Sequence, residues 1–207
     1  MTVKDQGIKN IIFDFGGVLI DLHRNECIAR FEQLGFKGVE YLISNTHQLG
    51  PFSQLELGDL STDDFHQIIK TYLIEGVTNE DIDEAWLSIL GEIPEYKLQK
   101  ILALKDDYRV FCLSNTNKIH WDWSCDRAFN YQNYKVEDYF EKIFLSYEMH
   151  MAKPDSAVFQ YVLHEAGIQP EETLLIDDSV KNIEAASQMG MHTHLYVPGE
   201  DWRLLFD

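Results

Sequence analysis

Three short apolar runs in this chain each stop on a polar residue: Ile11-Ile12-Phe13 on Asp14, Val110-Phe111-Cys112-Leu113 on Ser114, and Leu174-Leu175-Ile176 on Asp177. Short runs that are apolar throughout, rather than alternating, suit strands buried on both faces of a parallel sheet. Ligands of such a sheet bind beyond the carboxyl ends of its strands. The carboxylate of Asp14, the Ser114-Asn115 pair and the acids Asp177-Asp178 are therefore expected along one edge, with Lys153-Pro154 near them.

The rest of the pattern supports this layout. Ile8 to Phe13 reads as a strand, Gly16-Gly17 breaks it, and Val18-Leu19-Ile20 reads as a resumed extended segment. From about Leu22 to Pro94 the signals are helical. Asn25 to Leu34 carries apolar residues at helix spacing. Ser61 is a plausible N-cap with Asp64 three residues on, and Phe65, Ile68, Ile69 and Leu73 follow on one face. Asn79 to Leu90 reads as a third helix. After Pro94, helices alternate with short apolar runs: a helix over 95–104, strands near 108–113, 142–145, 173–176 and 192–197, and helices over 156–166 and 180–189. That alternation predicts parallel βαβ units, hence an α/β fold with a helical insertion between its first strand and the remainder. His120 to Trp123 and Tyr131 to Tyr134 mix aromatic and polar residues without clear period.

Bulk properties narrow the partners. The 207 residues fit one domain with a modest insertion, and 45% are hydrophobic, enough for a sizeable core. The formal net charge of -18 repels nucleic acid and anionic membranes, so neither is expected as a partner. Cys27, Cys112 and Cys125 lack metal-ligand spacing and suggest reduced thiols, as in the cytoplasm. The N-terminal stretch does not read as a signal peptide, and no run reaches the ~18 apolar residues of a membrane span.

Each polar motif has a plain reading and a chemical one. Asp14 could cap a turn, or attack phosphorus and carry the phosphoryl group as an acyl phosphate. Asp177-Asp178 could favour the N-terminus of the following helix, or hold a metal. Acids crowded near Asp14 repel one another unless a cation intervenes, and Mg²⁺ takes one or two carboxylates with water and phosphate oxygens. Ser114 and Asn115 could form an ordinary turn, or bind phosphate oxygens. Lys153 could be solvated, or neutralise the charge that develops during transfer. Taken together the motifs favour phosphoryl transfer.

These residues resemble the haloacid dehalogenase superfamily, most of whose members are Mg²⁺-dependent phosphatases. Asp14-Phe15-Gly16-Gly17-Val18 is similar to its first motif, Ser114 to its second, Lys153 to its third and Asp177-Asp178 to its fourth. The resemblance implies a Rossmann-like core (1–21 and 95–207) carrying an α-helical cap (22–94). It also implies Asp14 as nucleophile, metal ligands from Asp14, the Gly16 carbonyl, Asp178 and Asp177, and phosphate held by Ser114, Asn115 and Lys153. Leu113 to Asn117 and Glu56 to Ser61 look most like the branch containing α-D-glucose-1-phosphate phosphatase and the phosphatase domain of soluble epoxide hydrolase. The implied substrate is a small phosphorylated metabolite such as a hexose-1-phosphate.

One position departs from the family. Where a second Asp usually serves as general acid and base, this chain has Gly16. Water, Asp21 or His23 is expected to substitute, and the easily expelled anomeric oxygen of a sugar-1-phosphate would lessen the need. The departure also keeps open a catalytically weak regulatory or binding protein, with a phosphomutase less favoured. Residues near Glu56 and the aromatic segment at 120–123 are candidates to meet the leaving group.

Overall fold

Five strands, β1 (Asn10–Phe13), β2 (Arg109–Ser114), β3 (Lys142–Leu145), β4 (Thr173–Asp177) and β5 (His192–Leu195), form the sheet in a computed structural model describing residues 3, 6–44 and 48–206. Their order is β3-β2-β1-β4-β5 and every pairing is parallel. Alternate residues serve two different cores. Ile11, Phe13, Val110, Cys112, Leu174 and Ile176 pack into one apolar cluster, while Ile12, Phe111, Leu113 and Leu175 pack into another on the opposite face. Burial on both sides is why these runs are apolar without alternation. Each such side chain contributes roughly 1.5–3 kcal/mol.

Between β1 and the remaining strands lie α1 (Arg24–Gln33), α2 (Pro51–Glu56), α3 (Thr62–Lys70) and α4 (Asn79–Leu87). They have their own apolar cluster, built around Phe31, Phe52, Phe65, Ile69 and Trp86. The Ser61 side chain does accept from Asp64 N–H, at 3.1 Å, and α4 opens with a capping box from Thr78 and Asp81. The helix α2 carries no periodic signal in six residues. Its mark is Pro51 at the first turn, where a missing N–H costs nothing.

The later helices are α5 (Glu95–Leu104), α6 (Lys118–Arg127), α7 (Val136–Tyr139), α8 (Ser146–Met149), α9 (Ser156–Ala166) and α10 (Val180–Gln188). The aperiodic 120–123 segment is part of α6. Its Trp121 is buried and packs edge-on against Phe15, the residue after Asp14.

The segment after β1 differs from expectation. Residues 18–20 do not extend; the chain curls into a tight loop in which Leu19 and Ile20 N–H both donate to the Phe15 carbonyl. The buried Lys97 of α5 holds that loop, donating Nζ to the carbonyls of Val18 (2.7 Å) and Leu19 (3.2 Å). Burial lowers its pKa, with Asp21 and Asp201 opposing. Val18, Leu19 and Ile20 are all completely buried, so their apolarity reflects core packing rather than a strand.

Candidate active site

The sheet order decides which motifs meet. With β1 central between β2 and β4, the residues beyond their carboxyl ends become neighbours. Asp14 N–H continues the β1–β4 ladder, donating to the Ile176 carbonyl at 2.9 Å, which sets Asp14 beside Asp177. Lys153 arrives from the connection between α8 and α9. Asn115 holds it there with two bonds of 2.9 Å: its amide Nδ2 donates to the Lys153 carbonyl, and its Oδ1 accepts from Lys153 N–H. The Asn115 side chain thereby braces the Lys153 backbone, while Asn115 itself also lines the cleft.

Lys153 Nζ is buried among three acceptors: Asp14 Oδ1 at 2.9 Å, Asp177 Oδ2 at 2.7 Å and the Leu113 carbonyl at 2.9 Å. Burial alone would lower its pKa, but the two carboxylates outweigh this and hold the ammonium charged. Asp14 Oδ1 also accepts from Phe15 N–H at 2.7 Å. Asp177, fully buried, is saturated: Oδ1 accepts from Ser179 N–H (2.8 Å) and Asn182 Nδ2 (2.9 Å), and Oδ2 takes Lys153. Asn182 was not singled out in the sequence, although an amide on the first turn of α10, five residues past Asp177, is placed to reach back to it.

Asp14, Asp177 and Asp178 present carboxylate oxygens within 4.8 Å of one another. Burial pushes the Asp14 carboxyl well up; Lys153 opposes this, and Asp177 and Asp178 reinforce it. The Asp178 carboxyl is pushed up to about 6 by burial and then by Asp177. Three acids with one ammonium leave the cluster short of positive charge. An all-oxygen donor set of this kind fits a hard divalent cation. The backbone is shaped to the same end. Gly17 has φ +77°, and a Cβ there would stand 2.2 Å from Asp178 Oδ2, so only glycine lets the loop approach that carboxylate.

Above the cluster lies a cleft with a cavity of about 60 Å³, room for only a handful of waters. Asp14, Gly16, Ser114, Asn115, Lys153 and Asp178 line it, together with Leu22, Glu56, Leu90 and His120 of α6. A Cβ at Gly16 would stand in ordinary contact with the Leu22 methyl carbons, at 3.4 and 3.8 Å, so the chain omits an acid there without a steric demand for glycine. Neither Asp21 nor His23, the substitutes expected for the missing acid, lines this cleft; both are exposed on its outside. Glu56 does line it. Burial, and then the charge of Asp14, push the Glu56 carboxyl up to about 8. His120 is held neutral: burial lowers it to about 3, against a bond from its Nε2 to the Trp86 carbonyl at 3.2 Å.

Comparison with known proteins shows the family and the fold. Residues 8–190 match the family model for haloacid dehalogenase-like hydrolases. A D-ribitol-5-phosphate phosphatase of Bacteroides thetaiotaomicron is 36% identical over 95% of both chains. A HAD family enzyme of the same organism, crystallised with magnesium and inorganic phosphate, is 46% identical, with TM-score 0.91 over 97% of this chain and 100% of that one. A HAD-like family hydrolase of Porphyromonas gingivalis is 36% identical, with TM-score 0.88 over 97% and 98% of the two chains.

Proposed function

This chain belongs to the haloacid dehalogenase-like hydrolase family, and we propose that it is a Mg²⁺-dependent phosphatase acting on a small phosphate ester through an aspartyl-phosphate at Asp14. The observation that carries the reading is the meeting of Asp14, Lys153 and Asp178 at one sheet edge, in a cleft that Ser114 also lines. Relatives with the same fold act on a sugar-alcohol phosphate or bind magnesium with phosphate.

In this reading Asp14, Asp178 and the Gly16 carbonyl hold Mg²⁺, which when bound supplies positive charge to the phosphate oxygens. Asp177 is better suited to fixing Lys153 than to joining the metal, because its oxygens already accept from Ser179, Asn182 and Lys153. The Ser114 hydroxyl and Lys153 Nζ hold the phosphoryl oxygens and oppose the charge that grows on them during transfer. Asp14 attacks phosphorus, and water then hydrolyses the acyl phosphate. Residues 22–94 act as the cap that excludes bulk water, over a core of 1–21 and 95–207.

The finer substrate assignment favours an acyclic polyol phosphate over a hexose-1-phosphate. The D-ribitol-5-phosphate phosphatase that supports this choice is 36% identical over 95% of this chain. Phosphate release from a panel of pentitol-5-phosphates and hexose-1-phosphates, with Mg²⁺ and with chelator, tests this. Metal-dependent turnover abolished by Asp14→Asn is expected. Absence of metal-dependent turnover on every ester, or full activity in Asp14→Asn, would remove the proposal.

A further inference from the structure

We propose that Glu56 is the general acid and base of this site, supplying from α2 the carboxyl group that Gly16 cannot. The proposal deepens the phosphatase reading above and rests on it.

Elimination points to Glu56. The titratable side chains lining the cleft among the described residues are Asp14, Glu56, His120, Lys153 and Asp178. Asp14 is the nucleophile, and Asp178 is committed to the cation cluster. Lys153 has an acceptor for each of its three protons. His120 is neutral, and its Nε2 is engaged with the Trp86 carbonyl. Position 16, a glycine, offers no side chain to carry a proton. Glu56 remains, lining the same cleft and close enough to Asp14 to feel its charge.

Its placement is also built. Ser146 Oγ, at the start of α8, donates to the Glu56 carbonyl at 2.5 Å while accepting from Thr116 N–H at 2.9 Å. One hydroxyl thus ties Glu56 to the loop that follows Ser114 and Asn115. Two residues on, Gly58 (φ +71°) lies so close to Tyr147 that a Cβ would stand 2.2 Å from its carbonyl oxygen. His150 Nδ1 lies 3.0 Å from the Leu57 carbonyl. The end of α2 is therefore clamped to the core at three successive residues, as a group that must meet a reacting atom requires. Burial, and then the charge of Asp14, push its carboxyl up to about 8, toward the protonated form in which the cycle begins.

The steps close on themselves. As an Asp14 oxygen bonds to phosphorus, the ester P–O bond breaks and its electron pair goes to the leaving oxygen, which takes the Glu56 proton and departs as the alcohol. Glu56, now a carboxylate, removes a proton from water while the water oxygen attacks phosphorus. The P–O bond to Asp14 breaks, Asp14 regains its charge, inorganic phosphate is formed, and Glu56 is again protonated.

The test separates leaving groups. A primary alkoxide needs a proton to leave, whereas 4-nitrophenolate does not. In single-turnover experiments, Glu56→Gln is expected to slow alcohol release from a pentitol-5-phosphate by roughly 10²–10⁴-fold while slowing 4-nitrophenol release far less. Glu56→Asp, which keeps the carboxyl, should recover part of the alkyl-ester rate. Retained Mg²⁺ binding by calorimetry shows that each variant is folded. Equal losses on both esters, no loss on either, or an Asp variant as slow as the Gln variant would overturn the assignment. A wild-type protein without metal-dependent turnover on any ester removes the phosphatase reading and this proposal together; wild-type turnover with an unaffected Gln variant removes only the role of Glu56.

Discussion

Lys153 Nζ lies 2.9 Å from Asp14 Oδ1, and both groups are buried. The same ammonium contacts Asp177 at 2.7 Å, so one cation is shared by two carboxylates in a place water scarcely reaches. Such an arrangement is favourable only while every partner is present.

Lys153→Met should therefore be damaging twice over. Leaving Asp14 and Asp177 buried without their cation is expected to cost about 3–5 kcal/mol in urea unfolding. Loss of the charge facing the phosphoryl oxygens should lower kcat by roughly 10²–10³-fold.

Asn115→Ala removes two hydrogen bonds to the Lys153 backbone. A loss of about 2 kcal/mol in stability is expected. Because Lys153 would be less well aimed, kcat should fall while calorimetric Mg²⁺ affinity stays close to wild type.

Gly17→Ala makes the opposite separation. Its Cβ would collide with Asp178 and would sit at φ +77°. Mg²⁺ affinity measured by calorimetry should weaken by roughly 10–100-fold, whereas Lys153 and Asn115 keep their bonds.

Ser146→Ala tests the link between Glu56 and the 114–116 loop. It strands the Thr116 N–H and frees the Glu56 carbonyl, and should cost about 1–3 kcal/mol. Single-turnover rates should fall more for an alkyl phosphate than for 4-nitrophenyl phosphate, in the same direction as Glu56→Gln.

His120 gives a pH signature. Its folded pKa is lowered to about 3 from an ordinary 6.5, so the unfolded chain binds the proton more readily. The associated stability is present above pH 6.5 and is lost as the pH falls toward 3, at about 1.4 kcal/mol per pH unit. Relative to His120→Gln, the wild type should lose about 2 kcal/mol between pH 7 and pH 5 in urea unfolding. Equal slopes for the two proteins would contradict a buried neutral His120.

Much of the fold is legible in the chain because burial on two faces leaves a plain mark. Ile11-Ile12-Phe13 and Leu174-Leu175-Ile176 serve both sides of the sheet and have no room for polar residues. The helices at 95–104 and 156–166 show their period for the converse reason, one face being buried and the other wet. Segments that misled did so for identifiable causes. Val18-Leu19-Ile20 looks like a strand because it is buried, yet its hydrogen bonds close a loop that Lys97 holds from a distance. The six residues of α2 are too few to show a period.

At the site, residue types were readable and duties were not. Asn115 and Asp177 each look like ligands, but whether an amide or carboxylate is free depends on which distant groups already occupy it. Likewise nothing adjacent to Gly16 in the chain marks Glu56. What the order of residues determined alone was the sheet and the kinds of chemical group at its edge, since both follow from local pattern and strand ends. Three-dimensional folding decided which of those groups stay unsatisfied and which distant carboxyl joins Asp14 in lining the cleft, because hydrogen-bond pairing and desolvation depend on neighbours far away along the chain.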